Sequence, residues 1–143
     1  MDEHAYRSAL SSTNPQSCPF EKSILTRCVD CSQAGKHNIA EREAVVCKDS
    51  ASREHCITLH DILREKFSFA LHRVTTAGPL PHAQEMRIQC GGLKGLQHAL
   101  EGREEVDDVS ALVSHARQVY GGLNDLPYEA VVHWVAEYYR YRR

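Results

Sequence analysis

Five of the six cysteines in this chain fall between residues 18 and 56, at Cys18, Cys28, Cys31, Cys47 and Cys56, and only Cys90 stands apart. The stretch that holds them is broken by polar residues and Gly35 and carries few large apolar side chains. Such a segment cannot build a core alone. It must lean on the rest of the chain or be drawn together by a metal. The chain as a whole has no need of cysteines to fold. At 143 residues a folded chain buries roughly 68–70% of the surface its unfolded form exposes. Its 42% hydrophobic and 25% charged residues are the balance of a soluble globular protein. The cysteines are therefore expected to carry chemistry.

Which chemistry depends on the compartment. The start, Met1 to Arg7, and the Ser/Asn/Pro/Gln run that follows it through Ser17 have neither the basic beginning nor the apolar core of a secretory signal. No stretch approaches the ~20 apolar residues that span a bilayer. The expectation is a cytoplasmic protein without membrane association, where thiols stay reduced. Cysteines there read first as metal ligands or redox groups and only second as disulfides. A formal net charge of −2 supplies no global field for nucleic acid. The acidic run Glu101 to Asp108 and the basic end Arg140 to Arg143 read as a solvated loop and a tail.

Residues 1–17 read as a flexible leader and 18–143 as a single domain, with a cysteine-rich metal module over 18–56 and a helical part over 57–143. The predicted fold is mainly α, a small cysteine-rich, metal-stabilised N-terminal segment packed on a bundle of about four helices. Ser23 to Cys31 suits a short helix, and Glu43 to Cys47 a short strand. From Ser52 to Val74 apolar residues recur at helical spacing, with Cys56, Leu59, Leu63, Phe67, Ala70 and Val74 on one stripe. Gly78-Pro79-Leu80-Pro81 breaks regular structure. A second helix over 82–100 places Met86, Cys90, Leu93, Leu96 and Leu100 together, interrupted by Gly91-Gly92. A helical hairpin closes the chain. Asp107 or Asp108 caps a helix with Val109, Leu112, Val113, Ala116 and Val119 inward, ended by Gly121-Gly122. Asp125 and Pro127 open the last helix, with Val131, Trp134, Val135 and Tyr138 on its apolar side.

Cys28 and Cys31 form a Cys-x-x-Cys pair, whose intervening turn can direct both sulfurs at one ion. A tetrahedral thiolate site needs two more ligands, and Cys47 and Cys56 are the nearest. Cys56 lies in the first turns of a helix, where free N–H groups favour thiolate. The predicted metal ligands are thus Cys28, Cys31, Cys47 and Cys56, with Cys18, Cys90, His37 and His55 as further candidates. Zinc and an iron–sulfur cluster both accept four thiolates. The irregular gaps and spare cysteines tilt the choice to iron–sulfur. Buried inert cysteines and a thiol redox pair are the competing readings.

A catalytic role has no motif behind it. The chain lacks a phosphate-binding glycine loop, a Gly-x-Ser-x-Gly elbow, a dinucleotide fingerprint and a His-Glu-x-x-His pair. The expected function is an iron–sulfur accessory, electron-transfer or redox-sensing protein acting through a protein partner. The alternative is a zinc-stabilised interaction or nucleic-acid-binding module without a redox role, with basic residues such as Lys36, Arg42, Lys48 and Arg53 on phosphate. Thiol–disulfide exchange through Cys28 and Cys31 lacks the βαβ surroundings that would support it.

Overall fold

The computed structural model describes residues 16–39, 42–70 and 80–141. The chain is mainly helical and carries a small two-stranded sheet. A short helix α1 (Glu21–Leu25) leads into an antiparallel hairpin, β1 (Ala34–Ile39) and β2 (Arg42–Cys47). Then come the long helix α2 (Ser50–Ala70), a helix running from α3 (His82–Met86) through a π-helical turn (Arg87–Gly91) into α4 (Gly92–Glu101), α5 (Val109–Tyr120) and α6 (Tyr128–Tyr141). Among the described residues no helix is long and apolar enough to cross a membrane.

The helices follow the predicted stripes closely. Cys56, Leu59, Leu63 and Phe67 of α2 are buried, as are Cys90, Leu93 and Leu96 of the second helix. Val109, Leu112, Val113 and Ala116 of α5 and Val131, Trp134, Val135 and Tyr138 of α6 complete the bundle's interior. Val119 departs from the expectation: it is 55% exposed, and in that last turn of α5 it is Tyr120 that packs against the core. Side-chain chemistry marks the helix ends. Asp49 accepts from the backbone N–H of Ser52 at the start of α2, and Asp108 accepts from that of Ala111 at the start of α5. Gly121 ends α5 at φ +89, a left-handed cap suited to glycine.

Three expectations are corrected by local geometry. The helix drawn over Ser23 to Cys31 stops at Leu25, because Arg27 turns left-handed at φ 62. Arg27 N–H then donates to the Ile24 carbonyl and Cys28 N–H to that of Ser23, the paired bonds of a Schellman ending. Gly91-Gly92 does not interrupt its helix, which passes through both in right-handed conformation. The glycines are there for close approach: a Cβ on Gly91 would stand 2.8 Å from the Val135 Cα, and one on Gly92 2.8 Å from a Leu63 methyl. Asp125 lies in a 3₁₀ turn, Leu123–Asp125, and the last helix takes its first bond on the Pro127 carbonyl. Strand β1, Ala-Gly-Lys-His-Asn-Ile, had no alternation to announce it and is held by its register with β2, Ala34 opposite Cys47 and Lys36 opposite Val45.

The cysteine-rich segment packs into the same interior as the bundle. Phe20, Ile24, Val29 and Val45 belong to one apolar cluster with Leu59, Leu63, Ile88 and Val109. A polar staple reinforces the junction: Gln89, 3% exposed, accepts from the Ser23 N–H and donates to Glu85, which is bonded in turn to His60. Of the expected leader, residues 1–15 lie outside the described residues, as do 71–79 with their predicted break. Gln16 and Ser17 already pair with β2, the Gln16 carbonyl accepting from Cys47 N–H.

Candidate metal centre

Four free cysteines are brought to one cavity, each by a different device. Cys18 is laid beside β2, its N–H donating to the Val45 carbonyl at 3.0 Å, and Phe20, fully buried two residues on, fixes that path. Cys31 follows the Schellman turn. Its N–H donates to the Asp30 carboxylate at 2.8 Å, and the loop is tied to the entry of α5 by Asp30 N–H on the Val106 carbonyl and Ser32 N–H on the Asp108 carboxylate. Cys47 ends β2, with its thiol donating to the Asp49 carbonyl at 3.2 Å. Cys56, 7% exposed, points inward from the second turn of α2.

The cavity they line is nearly closed, with a free volume of about 10 Å³, room for about one water. Pro19, Ile24, Ala34 and Val109 make the remaining apolar wall. Ser52 and Ser110, joined by a 2.9 Å hydrogen bond between their hydroxyls, close one side. Arg53 stands at the edge and donates from Nε to the Ser17 carbonyl at 2.8 Å, which holds the Cys18 segment against α2.

The electrostatics of the cavity disfavour thiolate at three of its four cysteines. Burial, the largest influence, pushes the Cys18 thiol up to about 12, with the nearby sulfurs of Cys31 and Cys47 and the Glu21 carboxylate adding to it against a backbone bond from Phe20. Burial likewise pushes Cys56 up to about 12, and Cys18, Cys31 and Cys47 each raise it further. Cys31 is raised by burial, opposed by backbone bonds from Gln33 and Ser110 and assisted by Asp108. Cys18 and Cys56 thus resist ionising because they are buried and because other sulfurs lie near them, and Cys31 because it is buried beside Asp108. A bound cation reverses both effects, displacing the protons and turning mutual repulsion into shared attraction. Among the described residues no group of three or more Cys, His, Asp or Glu side chains is arranged so that it could hold a metal ion.

The remaining candidates are placed elsewhere. Cys28 is bonded to Cys90 in a disulfide, Cα to Cα 6.1 Å, so the structure sets Cys18 where the sequence suggested Cys28. The two sulfurs of the Cys-x-x-Cys pair face different surroundings, Cys28 the disulfide and Cys31 the cavity, just after the left-handed turn at Arg27. Cys90 is fully buried on the π-helical turn. His37 is exposed on β1 and does not line the cavity. His55 faces a neighbouring cleft, where Arg117 lies 3.3 Å from its Nδ1, and only Cys56, Ser52 and Ser110 are common to both spaces. Cys18 had one clue in the sequence, the aromatic anchor Phe20 just after Cys18-Pro19.

Comparison of the chain with known protein families, curated proteins and solved structures returns no match.

Proposed function

We propose that this is a small cytoplasmic cysteine-ligated metal-binding protein, with Cys18, Cys31, Cys47 and Cys56 holding an iron–sulfur cluster, and that it serves as an electron-transfer, redox-sensing or cluster-handling accessory to a protein partner. The observation that carries this reading is the convergence of four free thiols from four separate segments on one apolar cavity.

Spacing favours the cluster over zinc. With Cys28 bonded to Cys90, no two of the four cavity cysteines remain within a Cys-x-x-Cys, the knuckle from which structural zinc sites are usually built. Zinc would also draw the four sulfurs to about 3.8 Å from one another, given Zn–S bonds of about 2.3 Å. A cluster would spread its four thiolates over more than one iron and accept ligands from scattered loops. When bound, it would supply a one-electron couple screened from water by Ile24 and Val109. The chain's own contribution is to supply four thiolates, and because the cavity has room for about one water, the Cys18 segment and α2, joined by the Arg53–Ser17 contact, would have to move apart to admit a cluster.

The test is metal and sulfide content, with a visible spectrum, of full-length protein purified without oxygen, for the wild type and for Cys18→Ser and Cys28→Ser. Iron with matching sulfide, a visible band that bleaches on reduction, loss of both in Cys18→Ser and retention in Cys28→Ser are expected. Stoichiometric zinc without colour would make the chain a zinc-stabilised interaction module, and retention of metal in Cys18→Ser would remove Cys18 from the ligand set.

A further inference from the structure

The disulfide lies outside the four-thiol cavity and opens on a different space. Cys28 is half-buried and lines a cleft of about 560 Å³, while Cys90 is fully buried behind it. That volume is in the range of small-ligand sites, roughly 300–1,000 Å³. Only one of the two sulfurs can therefore be reached from solvent. Around it stand three cations from three elements: Arg27 on the Schellman turn, Lys36 on β1 and Lys94 on α4, one turn beyond Cys90. None of the three makes a side-chain hydrogen bond or ion pair among the described residues. Three carboxylates share the rim, Asp30, Glu105 and Asp107. Asp107 is engaged by Arg103 at 3.4 Å, and Asp30 accepts from the Cys31 N–H, whereas Glu105 has no such partner.

A cleft with unpaired cations, a free carboxylate and an accessible disulfide sulfur fits a small thiol that is itself zwitterionic. We infer that it is a thiol–disulfide exchange site for a low-molecular-weight amino-acid or peptide thiol, bound by its carboxylates on Lys36, Lys94 and Arg27 and by its ammonium on Glu105. The ligand's thiolate attacks the Cys28 sulfur, a new S–S bond joins ligand to Cys28, and the Cys28–Cys90 bond breaks. The electron pair leaves with the Cys90 sulfur, which takes up a proton and remains in the core as a thiol. A second molecule of the same thiol can attack the ligand sulfur of the mixed disulfide. It releases ligand disulfide and the Cys28 thiol, so two ligand thiols are oxidised as one protein disulfide is reduced. The adduct forms on Cys28 and not on Cys90 because Cys28 lines the cleft and Cys90 is fully buried behind it.

The experiment treats full-length protein, purified without reductant, with glutathione or with uncharged 2-mercaptoethanol at equal thiolate concentration, followed by intact mass and peptide mapping. One glutathione on Cys28, a newly alkylatable Cys90, and a rate about tenfold above that of 2-mercaptoethanol are expected, the lower end of electrostatic steering. Lys36→Ala with Lys94→Ala should bring the two rates together while the helical circular dichroism is unchanged. An adduct on Cys90 or on the cavity cysteines, equal rates in the wild type, or six alkylatable cysteines before any thiol is added would overturn the assignment. Because metal content is not read, failure here is separate from failure of the four-thiol site.

Discussion

Gly95 has no room for one more carbon. A Cβ there would stand 2.7 Å from the Trp134 Cβ and 3.3 Å from the Val131 Cα, both on the packed face of α6. Neither neighbour is the loose end of a flexible side chain, so Gly95→Ala should force the helices apart and cost about 1–3 kcal/mol, the usual range for overpacking. Gly102 makes the contrast. It caps α4 at φ +75 with nothing within 4 Å of a built Cβ, so Gly102→Ala meets only backbone strain of roughly 1–2 kcal/mol. Urea denaturation should show the larger loss at Gly95 together with a disturbed Trp134 environment in its near-ultraviolet dichroism, and an unchanged tryptophan signal would refute the packing account. At this scale the sequence was readable where one residue type has one physical use. The caps at Asp108 and Gly121 and the inward Leu and Val positions of the last two helices, Val119 excepted, appear in their expected roles. Arg27 was not readable, since nothing in an arginine announces a positive φ, and Cys28 to Cys31 follow directly on that turn.

Between elements, the junction of the cysteine-rich segment with the bundle rests on the chain of bonds from Ser23 through Gln89 and Glu85 to His60. Burial pushes the Glu85 carboxyl up, but the His60 hydrogen bond and charge, the Gln89 amide and Lys22 outweigh it and hold it below its ordinary value of 4.5. A carboxyl whose folded pKa lies below its unfolded one contributes stability above the unfolded value. It loses that contribution as pH falls through the folded one. The protein should thus lose stability on acidification from neutral pH through and below 4.5, and Glu85→Gln should flatten that part of the profile. Thermal midpoints at a series of pH values check this, and parallel profiles for wild type and variant would exclude Glu85 as the source. None of this network follows from periodicity, because Gln89 and Glu85 share their stretch with the apolar stripe and their partners lie 66 and 25 residues away in sequence. The helices were legible because each buries a regular face. Strand β1 was not, since its six residues owe their form to pairing with β2.

For the whole molecule, the question is whether the cysteine-rich part is a module or a portion of one core. Composition suggested that residues 18–56 could not stand alone, and the packing agrees: Phe20, Ile24 and Val45 share one apolar cluster with residues of α2, α5 and α6. Three of the cavity cysteines come from outside the Cys-x-x-Cys neighbourhood, Cys18 from beside β2, Cys47 from the end of β2 and Cys56 from α2, so the cavity exists only when the bundle is assembled. That convergence could not be read from linear spacing, in which Cys18 lies as far from Cys56 as any two members of the cluster can. It also sets the thermodynamics of metal binding. A ligand that binds only the folded chain stabilises it by RT ln(1 + [L]/Kd), about 2.7 kcal/mol when its free concentration is a hundred times Kd. Because the thiols belong to the common core, that energy should reach every helix rather than the first third of the chain. Helical dichroism and Trp134 fluorescence should therefore melt together in the metal-free protein and move upward together when metal is bound. A metal-dependent shift confined to a separate early transition, with the Trp134 transition unmoved, would show that the cysteine-rich part folds as its own unit.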